Sequence, residues 1–337
     1  MKTIFVPNLN YIEALTFCSE LSTSEMDNDY VFDFKQVKTC DPFPMLMVSS
    51  VLRRARKQHA DYNWKVRNCD NTYAQHMAFF SSSGISIGKA PGEARGNSNY
   101  LPINKLSIKD LQEANEGRMA YIGELIEEKA KEMAVVLSRS DKELQNILTY
   151  LLREMIRNIP EHSDSDEVWY CAQYWPSYNL VELGLLDEGK GITASLSSNP
   201  IYREYIHNDE DALKLSLKPG VSRTFSPLVK QRHTDDDYWK NSGYGLYMAS
   251  QICANLGGSF LIASGDSSLL ITNDEGTIKT EHIPTRFSGT AIQMRIRTTD
   301  IAQYKKIHSD VLKQGEELVK GNMNAFKNAS ASSKGLC

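Results

Sequence analysis

Residues 180–186 read Leu-Val-Glu-Leu-Gly-Leu-Leu, apolar at every position but Glu182 and Gly184. A short, nearly continuous apolar run of this kind reads as a central strand of a sheet, not as a half-solvated one. Residues 167–174 form a second strand, and Pro176-Ser177-Tyr178-Asn179 supplies a turn between the two, so the stretch predicts a β-hairpin. Ahead of it, residues 107–159 are helical in two long segments. These break near Ser138-Arg139-Ser140-Asp141, a stretch suited to capping the second helix. Behind it lies a long, mixed, Pro-containing region, 192–242. A helix then opens at Gly245 with Leu246, Ala249, Ile252, Cys253 and Leu256 on one face, and Gly257-Gly258 as its stop. Three strands, 259–263, 269–272 and 289–296, close this half of the chain.

The first 85 residues alternate strand and helix signals. Strands are predicted at 3–6, 30–34 and 63–68. Helices are predicted at 11–21, at 72–81, and from Met45 after a Pro-rich turn at Asp41-Pro42-Phe43-Pro44, with Met45, Val48, Leu52 and Ala55 sharing a face. The result is a small α/β domain over 1–85. Residues 86–106, rich in Gly, Ser, Asn and Pro, read as a linker to a larger α/β domain over 107–300. A polar helix over 301–327 and a disordered tail over 328–337 complete the organisation.

A length of 337 residues suits two or three domains. The net charge of -4 argues against a generally nucleic-acid-binding surface, and the basic stretch Arg53, Arg54, Arg56 and Lys57 reads as a solvated helix face. No apolar run approaches the roughly 18 residues of a membrane span, and the first residues look like a strand, not a secretory signal. The six cysteines are scattered, with no Cys-x-x-Cys pair, which gives neither a metal cage nor a disulfide framework and points to a reducing cytoplasm.

Four short boxes carry candidate chemistry. In Leu151-Leu152-Arg153-Glu154-Met155-Ile156-Arg157-Asn158, the i, i+4 spacing puts Glu154 and Asn158 on one helix face. A carboxylate there can orient a water, and a neutral amide oxygen can hold Mg²⁺ without adding charge beside a triphosphate. Asp187-Glu188-Gly189-Lys190-Gly191 ends the central strand, where a carboxylate can accept a bond from an exocyclic amine and Gly189 and Gly191 admit close backbone approach. Asn241-Ser242-Gly243-Tyr244-Gly245-Leu246 opens a helix, whose N-terminal amides suit phosphate. Ser288-Gly289-Thr290 starts the last strand, with a hydroxyl in reach of a base pocket. Taken singly, each also describes an ordinary helix face or turn.

Taken together and in this order, the boxes resemble the N, G1, G2 and final Gly-Thr boxes of the GHKL ATPases (gyrase, Hsp90, histidine kinases, MutL), over residues 107–297. The resemblance implies an α/β sandwich of the Bergerat type, with a mixed sheet covered by helices. It implies that ATP and Mg²⁺ bind, that Asp187 reads adenine beside Gly189, Gly191 and Thr290, and that Asn158 is the metal ligand. Gly243, Tyr244, Gly245 and Leu246 then line the phosphates, and Glu154 is the general base of a slow hydrolysis. Two features depart from the family. Pro160 should kink or stop the helix just after Asn158, placing His162 and Ser163 where relatives often carry His or Lys near the phosphates. The region between Gly191 and Gly243 aligns poorly, leaving Lys230, Arg232 and His233 as candidates for a γ-phosphate sensor or as solvated loop charges.

Residues 31–34, then Cys40-Asp41-Pro42-Phe43-Pro44 and the helix that follows, resemble a STAS domain, the fold of anti-sigma-factor antagonists. That family carries a phosphorylated Ser or Thr after the Asp; here prolines flank Phe43 and no hydroxyl stands there. The combined resemblance implies a bacterial cytoplasmic regulatory protein whose partners are ATP and another protein or a second copy of itself, as a homodimer. An anti-sigma-type Ser/Thr kinase and a nucleotide-dependent scaffold of a stress or defence system are the alternatives.

Overall fold

A computed structural model describes residues 2–25, 29–113, 122–226 and 242–334. The chain opens with β1 (Lys2–Phe5), α1 (Tyr11–Thr23), β2 (Asp29–Asp33), α2 (Pro42–Gln58) and β3 (Asn63–Arg67). The three strands pair in parallel in the order β1-β2-β3, with Thr3 opposite Val31 and Val31 opposite Lys65. Parallel neighbours need a crossover between them, and α1 and α2 provide it. Asn10 caps α1 by accepting the Glu13 amide at 3.0 Å. The Pro-rich turn expected before Met45 is in fact the first turn of α2, where Pro42 sacrifices no helical bond. The helix expected over 72–81 is divided into α3 (Thr72–His76) and α4 (Phe79–Ser82) by Ala78, whose φ of 63° is left-handed.

The rest comprises β4 (Tyr100–Ser107), α5 (Ile108–Glu113), α6 (Ile122–Ser138), α7 (Lys142–His162), β5 (Glu167–Trp175), β6 (Leu180–Asp187), α8 (Gly191–Ser197), α9 (Pro200–Arg203), α10 (Asp209–Ser216), α11 (Gly245–Asn255), β7 (Ser259–Asp274), β8 (Thr277–Arg297), α12 (Tyr304–Val319) and α13 (Ala331–Lys334). A five-stranded sheet forms in the order β4-β5-β6-β8-β7, antiparallel at every pairing. The mixed sheet expected from the family resemblance is therefore not what the described residues form. β7 does run parallel to β6, but its own hairpin partner β8 takes the place between them.

Other expectations are corrected. Part of the supposed linker is a strand: β4 pairs with β5 along the sheet edge, where Pro102 can sit because an edge strand can spare one N–H. Three expected C-terminal strands are two, β7 and β8, joined at Glu275-Gly276 and bulged near Gly265. Helix α7 runs past Pro160 to His162, because a proline in the last turn removes only one ladder bond. The supposed C-terminal helix stops at Val319, and Phe326, expected within it, instead donates its amide to Gly220 O at 2.9 Å. The tail expected to be disordered is packed as far as it is described: Ala329 is buried, and Lys334 pairs with Glu316 at 3.2 Å.

The two halves are layers of one structure. Helices α1 and α2 lie between the small sheet and one face of the large one. Phe32, Phe34, Met45, Leu46 and Phe79 share a core with Cys171, Leu186, Leu261, Phe287 and Ala291 of that face. The opposite face packs Leu183, Leu185, Ile292 and Met294 under α6, α7, α11 and α12. Among the described residues, no helix is long and apolar enough to cross a membrane.

Candidate functional site

The antiparallel register of β6 and β8 sets Asp187 opposite Thr290 and Leu185 opposite Ile292. Residues two apart on a strand share a face, so these four make one floor. Helix α7 crosses it, and Met155, Asn158, Ile159 and His162 follow the i, i+3, i+4, i+7 spacing of a single helical stripe. Gly191, Ile192 and Ser195 of α8 and Leu246 of α11 complete the walls of a largely apolar cleft of about 510 Å³ including its mouth. Its few polar groups on an apolar lining are the composition of a small-molecule site.

Asp187 is buried at the floor and accepts the Gly189 amide at 2.8 Å. Burial pushes its carboxyl up to about 6, against the opposing pull of the Gly189 amide and the Ser163 and Thr290 hydroxyls. His162, on the wall, is pushed down to about 4, first by burial and then by the positive charge of Arg223 and Lys190. These two cations flank Asp164, at 3.4 and 2.8 Å, just beyond the end of α7.

Glu154 lies one helical turn back from Asn158. One of its carboxylate oxygens accepts from Arg153 at 3.1 Å, and Arg153 is itself fully buried and also reaches Glu127 at 3.8 Å. The other faces the start of α11. A Cβ placed on Gly245 would stand 2.9 Å from Glu154 Oε2 and 3.8 Å from Asn158 Nδ2, so a larger residue there would push the Glu154 carboxylate aside. Asn158 Nδ2 is buried and has no hydrogen-bond partner among the described residues, an unsatisfied amide beside a helix N-terminus.

Residues separated widely in sequence thus meet. Asn158, Asp187, Gly191, Leu246 and Thr290 line the cleft, while Glu154 and Gly245 adjoin it. Gly189 instead borders a second, polar groove, which meets the cleft at Gly191. The Gly243 carbonyl accepts the Gly220 amide at 3.1 Å. The buried Tyr244 side chain points away from the cleft, its hydroxyl donating to Lys327 O at 3.2 Å. Lys230, Arg232 and His233 lie outside the described residues.

Sequence reading missed Met155, Ile159, Ile192 and Ser195; the 155/158/159/162 stripe could have found the first two. It also misread the basic stretch of α2. Arg53 donates to Glu188 Oε1 at 2.6 Å, Arg54 donates to Ser288 O at 2.5 Å, and Arg56 lies 3.0 Å over the Trp64 ring. The three arginines are packed structure while Lys57 is exposed, and for Arg53 and Arg54 partners more than a hundred residues away leave no local signal. Neither protein-family models nor curated proteins match the chain.

Proposed function

We propose that the chain binds ATP with Mg²⁺ in this cleft, in the manner of a GHKL ATPase preceded by a STAS-like layer, and hydrolyses it slowly. The observation that carries the reading is the convergence of all four boxes. The Asp187–Thr290 pair and Asn158 line the cleft, and Glu154 and the Gly245 helix start adjoin it beside Asn158.

Each residue has work its chemistry suits. Asp187 accepts the exocyclic amine of adenine, and the apolar floor and α7 stripe hold the ring. The amides opening α11 face the phosphates, with the positive end of an 11-residue helix behind them. Glu154 orients the attacking water and takes its proton. For Mg²⁺ the chain offers the neutral Asn158 Oδ1, and magnesium ordinarily takes its other ligands from phosphates and water; Asn158 Nδ2, without a partner among the described residues, would donate to a phosphate oxygen. The ion would neutralise charge on the terminal phosphates. A cytoplasmic regulatory role, with another protein or a second copy as partner, follows from the same resemblance.

Calorimetric titration with ATP and Mg²⁺ tests the pocket. Asp187→Asn should weaken binding by roughly 10–100-fold, the scale of a hydrogen bond to a charged group; an unchanged affinity sinks the assignment. Glu154→Ala should keep binding and lose phosphate release. Radiolabel passing from the γ-phosphate to a second protein, with no release to water, would replace hydrolysis by the kinase reading; binding with neither outcome would leave the nucleotide-dependent scaffold.

A further inference from the structure

We infer that α2 is part of the nucleotide site: Arg53 and Arg54 are positioning residues that hold the two backbone segments carrying Asp187 and Thr290. The inference depends on the ATP reading of the cleft.

At the end of β6 successive side chains diverge. Asp187 enters the cleft, and Glu188 turns to the other side of the sheet. There one oxygen of Glu188 accepts both Ser50 Oγ at 2.5 Å and Arg53 Nη2 at 2.6 Å. Arg53 is held in turn by Ser82 O at 2.6 Å and by the Trp169 ring, 4.2 Å from its guanidinium carbon, and its side chain is 14% exposed. Arg54 grips the opposing strand, donating to the carbonyl of Ser288, two residues before Thr290. Neighbouring side chains on one helical turn thus tie down both members of the Asp187–Thr290 pair from behind.

The helix is anchored at its other end as well. Phe43 N donates to the buried Glu182 at 2.9 Å, and Arg295 joins Glu182 to Asp41 at 2.7 and 3.0 Å. A 17-residue helix spans about 25 Å. Pinned at both ends, it is a strut running from the middle of the large sheet to the turn that carries Asp187. Charge-assisted bonds to a partly buried carboxylate are among the stronger ones available. A base pocket needs its acceptor held to within roughly half an ångström. Apart from the strut, the 187–191 turn is held by the β6–β8 ladder at Asp187, by the Ser163 and Thr290 hydroxyls and the Gly189 amide on the Asp187 carboxyl, by the Lys190 amide on Ser163 O and by the Lys190–Asp164 pair, and none of these reaches Glu188. By reciprocity, a nucleotide that fixes this turn also fixes the second half of α2, and with it the parallel layer in front.

The test titrates the full chain with ATP and Mg²⁺ and follows phosphate release. Arg53→Met, which keeps the packing stem, should raise Kd and KM by about tenfold and change kcat less than twofold, because Glu154 and Asn158 sit beyond its reach. Arg53→Lys should recover part of the loss. A purely structural arginine would lower Tm without moving KM for the folded fraction. Should Arg53→Met fail to fold, Glu188→Gln, an isosteric change, takes its place with a smaller shift in the same direction. Hydrogen exchange on the unaltered chain gives an independent readout: nucleotide should slow exchange in residues 50–58. A folded Arg53→Met with wild-type KM, or protection confined to α7, α11 and the β6–β8 face, overturns the inference alone. If the unaltered chain binds no adenine nucleotide, the reading of the cleft falls and the inference with it.

Discussion

The two faces of β6 and β8 are built from alternate residues of the same strands, yet they handle buried charge in opposite ways. On the α2 side, Glu182 is fully buried and fully engaged: Arg295 pairs with it at 2.7 Å and the Phe43 amide donates at 2.9 Å. The backbone of Phe43 can come so near because Gly184 stands opposite it; a Cβ there would be 3.0 Å from Phe43 Cα. On the α7 side, Asp187 is almost as deeply buried but is held by an amide and by hydroxyls, with no cation at hydrogen-bond distance among the described residues. One carboxylate is spent on holding layers together. The other bears its desolvation and is left facing a cleft. A buried charge that has its partner belongs to the structure, and one that lacks it is a candidate for binding.

The largest test breaks the paired side. Arg295→Met leaves Glu182 and Asp41 without their cation and should cost roughly 3–5 kcal/mol in urea unfolding, the usual toll of orphaning a buried charge. The double variant Glu182→Leu with Arg295→Met should recover much of that loss. If the single variant is near neutral, the contrast between the faces is wrong.

The pH dependence of stability comes next. Asp187 is raised from 3.8 to about 6 in the fold. Its contribution is therefore fully present below pH 3.8 and is lost as pH rises through 6. His162 is lowered from 6.5 to about 4. Its contribution is present above pH 6.5 and is lost as pH falls toward 4. Between pH 4 and 6 the two slopes oppose each other, each with a span of about 3 kcal/mol. Asp187→Asn should therefore make stability drop more steeply on acidification, and His162→Gln should make it rise. Denaturant midpoints at pH 4.5, 5.5 and 7 measure both; parallel profiles for wild type and variants would falsify the opposition.

The same carboxyl predicts a smaller effect on binding. ATP affinity should fall as pH drops through about 6, where Asp187 takes up its proton, and Asp187→Asn should abolish that dependence. Smallest of all is Thr290→Val, which keeps shape and removes a hydroxyl beside Asp187. It should weaken ATP binding several-fold, on the order of 1 kcal/mol, and leave urea stability within about 1 kcal/mol, whereas any comparable change on the α2 face should show in stability first.

Much of this was legible in one dimension. The hairpin 167–186 and the helix starting at Gly245 were visible because burial imposes a local period on the sequence. Asp141 does cap α7, accepting the Leu144 amide at 2.9 Å. Where the local pattern failed, the stabilising partner lay far away. Strand β4 hid in a Gly/Pro-rich stretch because it is an edge strand stitched to β5. The distal half of the β7–β8 hairpin pairs mostly with itself, and the exposed residues around Lys279 and Glu281 show no apolar alternation to reveal it. The tail packs through Ala329, buried in the core, and through the Lys334–Glu316 pair, about which its composition says nothing.

By itself, then, the sequence determined which local elements form and which four boxes could carry chemistry, because capping, turn residues and periodic burial act over a few residues. The tertiary structure alone decided that the boxes share one cleft, that Glu182 and Asp187, five residues apart, lie on opposite faces, and that the arginines of α2 reach Glu188 and Ser288. Strand register and layer stacking set those distances, and both are products of packing between segments that the chain keeps far apart.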